Sequence, residues 1–266
     1  MVTAETTKEL LFLLKDCLLC KFVEFATKFL PLPPKIIKLD NPNSELLLNS
    51  PTKTLPILKA GDDFITGVIP IIKYLYHSIP DNYSDGVTFD VKKILLGKTL
   101  KEEAKVDMWL NYILNNIYPS VIEIYIQLYG KKKYCFRTFD VAVCDLCDEL
   151  FKVNEQLKLN TFLTANNVQL SDLMLASALF NCYSDIFTKE KSEMYPNVIR
   201  VFKFVANMKQ FKEVFGVAKK CKKLKEPEKF LGAAEEEKDE IKDEIDKKEG
   251  NGEECGKKKK NKKNKK

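Results

Sequence analysis

The spacing of apolar residues changes character near residue 80, and that change organises the chain. Before it, apolar positions come in short runs cut by turn formers. Lys8 to Lys15 is a brief apolar run of the kind that makes a buried strand. Leu18, Phe22, Phe25 and Phe29 then recur at helical spacing, and Pro31, Pro33 and Pro34 close that helix. Lys35 to Leu39 reads as a second strand and Ser44 to Asn49 as a short helix stopped by Pro51. The stretch TLPILKAGDDFITGVIPIIKYL, Thr54 to Leu75, reads as strand, turn, strand, helix. Pro56 opens its first strand, where a missing N–H is tolerated. Gly61-Asp62-Asp63 is turn chemistry, Phe64-Ile65 the return strand, and Pro70 fits the first turn of the helix. The predicted order over residues 5 to 79 is β-α-β-α-β-β-α.

Pro80 to Gly86, PDNYSDG, is a run of turn formers and predicts a linker. Beyond it every periodic segment is helical. Val106, Trp109, Leu110, Ile113, Ile117, Val121, Ile124 and Leu128 trace one face of a long helix with a bend expected at Pro119. Further helices are predicted over Phe139–Val153, Ser171–Phe187, Asn197–Val205 and Gln210–Phe215, the last closed by Gly216. From about residue 218 lysines dominate, Glu235 to Glu249 mixes charges without an apolar stripe, and the chain ends KKKKNKKNKK. This composition predicts a disordered charged tail over 218–266. Its lysines could contact RNA or the ribosome by counterion release, or serve as a solubilising linker.

Composition narrows the class. A 45% hydrophobic content supports a packed core, and a formal net charge of +6 selects no particular partner. No run approaches the ~20 apolar residues of a membrane span, and Leu10 to Leu14 is too short for a signal peptide. Eight cysteines without a secretory signal point to free thiols in a reducing, cytoplasmic setting. There is no Walker sequence, no GxGxxG and no paired-metal carboxylate pattern. His77 is the sole histidine, so a Ser-His or Cys-His relay has no obvious partner.

An X-Pro at the mouth of a strand, feeding a hairpin and then a helix, resembles the second half of a thioredoxin-like domain as found in glutathione transferases. An all-α domain behind such a domain is the whole transferase architecture. The expected fold is therefore α+β followed by all-α, with a thioredoxin-like domain over 1–80, a helical domain over 88–217 and the charged tail. Three segments resemble one branch, translation elongation factor 1 gamma: PILKAGDDF with its following helix, NTFLTANNVQLSDLMLASAL, and YPNVIRVFKFVANMKQFKEVFG with its Lys/Cys-rich exit. In the last, Tyr195, Pro196, Asn197, Arg200, Phe202, Asn207, Phe211, Lys212, Val214 and Gly216 match the branch's pattern, and Trp109 matches a tryptophan of its first long helix. That branch usually continues past a charged linker into a further domain.

The resemblance places a glutathione pocket around Leu55, Pro56 and Thr66, with Pro56 cis and the backbone beside it facing the ligand. It also places the Glu/Gln-Ser/Thr pair that holds the γ-glutamyl end at Gly67 and Val68, whose side chains can do neither job. Glutathione is therefore not expected as a cofactor, and the pocket reads as vestigial. No Tyr or Ser matches at the other side of that pocket; Cys17-Leu-Leu-Cys20 stands there instead, after the first strand and at the start of the first helix. A helix N-terminus activates a thiolate, so Cys17 and Cys20 are the weak catalytic candidates, against the plainer reading of buried structural cysteines. Cys144 and Cys147 form a second pair in mid-helix, and zinc held by the four thiols lacks the usual short spacing. Asp172 is expected in the first turn of an apolar helix, with Ser171 the expected cap because Gln169 stands where the family has Ser or Thr.

The resemblance implies a non-catalytic scaffold of the elongation factor 1 complex that docks the nucleotide-exchange subunit (beta or delta) and could dimerise. Two other readings stay open: a divergent transferase or thiol-disulfide oxidoreductase using Cys17, and a docking module of an aminoacyl-tRNA synthetase assembly.

Overall fold

The computed structural model describes residues 9–40, 50, 52–79, 91–164 and 166–230. The helix expected at Ser44 to Asn49 and the linker expected at Pro80 to Gly86 lie outside them, as do residues 231–266. Strand β1 (Leu10–Leu14) leads into helix α1 (Leu18–Thr27) and strand β2 (Lys35–Leu39). The hairpin β3 (Ile57–Ala60) and β4 (Asp63–Thr66) follows, then α2 (Val68–His77). The four strands lie in the order β2-β1-β3-β4, with β1 parallel to β2 and the other pairs antiparallel. Leu11 pairs with Ile36 on one side and Leu58 on the other. Leu11, Leu13 and Leu58 join the core beneath α1 and α2, while Phe12 and Ile57 are buried on the opposite face. Burial on both faces explains why β1 reads as a continuous apolar run rather than an alternating one. This is the thioredoxin-like half that the sequence predicts.

The helical half comprises α3 (Val91–Leu95), α4 (Leu100–Tyr112), a π-helical turn (Ile113–Ile117), α5 (Tyr118–Leu128) and α6 (Phe136–Leu159). It continues with α7 (Leu170–Asp185), α8 (Lys189–Met194), α9 (Pro196–Ala206) and α10 (Lys209–Phe215). Helices α3 and α8 are absent from the sequence reading, and α6 runs well beyond the predicted Phe139–Val153. Helix α7 is buried on nearly every side, Leu170 through Leu179 without a break, so it forms the axis of this half. The long helix predicted from Val106 to Leu128 widens at Ile113–Ile117, ahead of the bend expected at Pro119. Pro119 has no N–H and its ring would press on the carbonyl of Asn115, so a wider turn relieves both conflicts.

The two halves share one core. Phe25 of α1 meets Phe211 and Phe215 of α10 edge-on, with ring centroids 5.2 and 6.1 Å apart, and Phe180 of α7 completes the cluster. Phe25 and Phe211, the fully buried pair, each contribute about 2–3 kcal/mol from area alone. At the rim, Lys73 of α2 pairs with Glu103 at 3.1 Å and with Asp107, both on α4.

The tail boundary expected at 218 moves. Residues 217–230 form no helix or strand, yet they strap the helical half: Cys221 N–H donates to the Tyr183 carbonyl, Lys225 to Asp185 and Glu228 to Leu128. Lys225 Nζ sits 3.3 Å over the Tyr129 ring, whose hydroxyl donates to Asp185. Gly130 lies under the strap so closely that a Cβ there would stand 2.3 Å from the Lys229 carbonyl oxygen. A lysine-rich composition hid these contacts because they are made by main chain and by one cation on one ring.

Candidate functional site

The mouth of the thioredoxin-like half is built from the end of β1, the start of α1, the Leu55–Pro56 junction and the β4–α2 turn. The Leu55–Pro56 bond is cis. Pro56 is buried, and Leu55 is partly buried against the core. Thr66 ends β4, opposite Ile57 in the register. Gly67 follows with a φ of +92°, a conformation that residues bearing a Cβ adopt only under strain. It caps α2 without any side-chain hydrogen bond, and Val68 behind it is buried. The backbone therefore disfavours a side chain at the position where the resemblance expects a glutamyl-binding residue. Tyr76 farther along α2 donates to the Ala26 carbonyl at 2.8 Å and locks α2 to α1.

Across from this turn, Cys17 is the N-cap residue of α1 with an extended backbone (φ −96°, ψ 123°), and its thiol is half-buried. Cys20 lies in the first helical turn and is fully buried. The Cys17 thiol is held well below its ordinary range. The Cys20 thiol donating to it is the largest cause, burial opposes, and the backbone N–H groups of Cys20 and Leu19 and the Lys131 charge add to the lowering. Cys20 is pushed up in turn by that same hydrogen bond and by burial. Lys131, just after α5, and the buried Tyr118 at its start were missed from sequence, since more than 100 residues separate them from Cys17; nothing in the local pattern announces the meeting.

The other singled-out residues fall elsewhere. Cys144 and Cys147 sit on α6, and among the described residues no group of three His, Cys, Asp or Glu gathers as a metal site. His77 pairs with Glu103 at 3.2 Å. Asp172 is fully buried: its carboxylate accepts the N–H of Gln169 and that of Leu163, each at 2.9 Å. Burial pushes this carboxyl up to about 6 against the pull of those donors and of Arg200. Ser171, the expected cap, does not cap. Gln169 is the N-cap residue and Leu170 is already helical, so Ser171 falls at the second helical position, where its hydroxyl has no hydrogen-bond partner. The matched residues of the YPNVIR segment are joints. Asn197 N–H donates to Asn154, and Arg200 donates to the carbonyls of Leu157, Asn160 and Thr161, closing the C-terminus of α6. Tyr195, Phe202 and Phe211 are buried.

The π-helical turn, the start of α5 and α6 line an open groove of about 550 Å³, bordered by Asn115, Asn116, Asp145, Asp148, Glu149 and Phe151 among others. Tyr112 hydrogen-bonds Glu149 at its edge. No helix among the described residues is long and apolar enough to cross a membrane.

No family model matches the chain. Elongation factor 1-gamma 1 of rice (Oryza sativa subsp. japonica) is 25% identical over 200 residues, 75% of this chain and 45% of that protein. The chain thus spans about half the length of that relative. The glutathione S-transferase-like protein FUS3 of Gibberella moniliformis is 26% identical over 177 residues, 66% of this chain and 76% of that protein. The crystal structure of the GST-like domain of elongation factor 1-gamma from Saccharomyces cerevisiae superposes with a TM-score of 0.69 at 20% identity, covering 84% of this chain and 99% of that one. In sequence over most of its length, and in fold, the chain resembles the transferase-like part of elongation factor 1 gamma.

Proposed function

We propose that the protein is a scaffold subunit of an elongation factor 1 complex, docking the guanine-nucleotide-exchange subunit in the cytoplasm and conjugating no glutathione. One observation carries this reading. On a chain similar to elongation factor 1-gamma, the pair that would hold glutathione is replaced by Gly67 and Val68, at a backbone turn that itself favours glycine. The joints matched by the branch's motifs hold the helical half rigid, as a docking surface requires. Homodimerisation and contact of the lysine tail with RNA or ribosome belong to this same reading.

The test is a pull-down from cytosolic lysate at moderate salt, with the full chain and with a chain ending at residue 230. That end spares the strap that a cut at 218 would remove. The exchange subunit is expected with both forms. Recovery of aminoacyl-tRNA synthetases alone would overturn the reading in favour of a synthetase docking module.

A further inference from the structure

We propose that Cys17 and Cys20 form a redox dithiol that reduces disulfides, with Cys17 attacking and Cys20 resolving. The proposal stands on the placement of the two thiols and is independent of the scaffold reading. Cys17 occupies the N-cap of a ten-residue helix, half-exposed beside the first-turn backbone N–H groups, while Cys20 is enclosed one turn on. One sulfur is therefore reachable and the other is reserved. Side chains at i and i+3 stand about 5–6 Å apart at Cβ, somewhat more than the ~4 Å that a disulfide spans. The extended backbone at Cys17 leaves its side chain free of the helix and able to close that gap.

The remaining cysteines provide the contrast. Cys135 also caps a helix, α6, and its thiol is lowered by backbone and side-chain contacts with Thr138, but no second thiol follows it in the first turn. Cys144 and Cys147 are a pair without a free helix end, and Asp140, Asp145 and Asp148 hold the Cys144 thiol up after desolvation. Around Cys17 the charged and titratable neighbours are Cys20, Lys131 and Tyr118, with Asp16 and Lys21 adjacent in the chain. Lys131, whose Nζ lies 4.9 Å from the Tyr125 ring centroid, adds a minor favourable charge.

The steps balance. The Cys17 thiolate attacks one sulfur of the substrate disulfide; a mixed disulfide forms, and the departing thiolate takes a proton from water. Cys20 then loses its proton to solvent and attacks the Cys17 sulfur, expelling the second substrate thiolate. The protein is oxidised by two electrons to a Cys17–Cys20 disulfide, the substrate is reduced to two thiols, and a dithiol reductant in solution restores the pair.

The probe is glutathione disulfide, added at pH 7 to the reduced full chain, with acid quenching, alkylation and peptide mass mapping. The wild type is expected to form the Cys17–Cys20 disulfide. Cys20→Ser is expected to trap glutathione on Cys17 about tenfold faster than on Cys144, with Cys20→Ala as the second variant should serine disturb the buried position. Modification of Cys17 no faster than of Cys144, or a wild-type pair that stays reduced while Cys20→Ser captures glutathione, overturns the proposal. Capture of the exchange subunit by Cys17→Ser, unchanged from wild type, separates this outcome from the fate of the scaffold reading.

Discussion

Helices α1 and α7 begin in opposite ways. At α7 the N-cap N–H is met from within, because the Asp172 carboxylate turns back on Gln169, and it also accepts Leu163 N–H from the preceding loop. At α1 the N-cap side chain is a thiol that makes no cap hydrogen bond, and it packs at the seam between the two halves. One helix start is closed by a side chain and serves the fold; the other is left open beside a half-exposed thiol. Of the two, only the helix start that is not capped by a side chain leaves first-turn N–H groups beside a thiol.

Breaking the sealed end should have the largest effect. Asp172→Ala leaves two buried N–H groups without an acceptor and is expected to lose about 3 kcal/mol in urea unfolding; a loss below about 1 kcal/mol would contradict the account of α7. A pH series sharpens the same point. Folding raises the Asp172 pKa to about 6, so the native chain keeps a proton that the unfolded chain releases near pH ~4. That stabilisation is full below pH ~4 and is lost as pH rises through about 6, so this carboxyl should lower unfolding free energy across the window by on the order of 3 kcal/mol. Asp172→Asn does not titrate and should lack that slope; an identical slope in both proteins would assign it to other groups. The smallest effect on stability belongs to the open end. Cys17→Ser should change unfolding free energy by less than about 0.5 kcal/mol, yet remove the fast component of iodoacetamide labelling at pH 7. A large stability loss would make Cys17 a structural cap after all.

Much of this architecture is legible in the residues. The apolar run at Leu10–Leu14, the Gly61-Asp62-Asp63 turn and the helical spacing from Val106 to Leu128 each specify an element locally, because side-chain period and turn chemistry are local properties. The start of α4 carried a signal that went unread: Thr99 accepts from Glu102 N–H, and Glu102 reaches back to Lys98 N–H, a Thr-x-x-Glu pattern plain in the sequence. Ser171 misled because cap preference alone cannot choose between adjacent polar residues; the choice fell to the burial of Leu170. Gly67-Val68 and the Cys-x-x-Cys were visible as residues. The approach of Lys131 to Cys17 was not, since it depends on how far α5 runs before it turns.

The π-helical turn at Ile113–Ile117 has a consequence for comparing this chain with its relatives. An α-helix rotates about 100° per residue, so one widened turn accommodates a residue that a regular helix of the same span would not contain. Trp109 on one side and Tyr118 on the other therefore belong to two different helical registers. Against a helix that runs regularly through the same span, a single ungapped frame would match one of them and displace the other by a position, toward the wrong face.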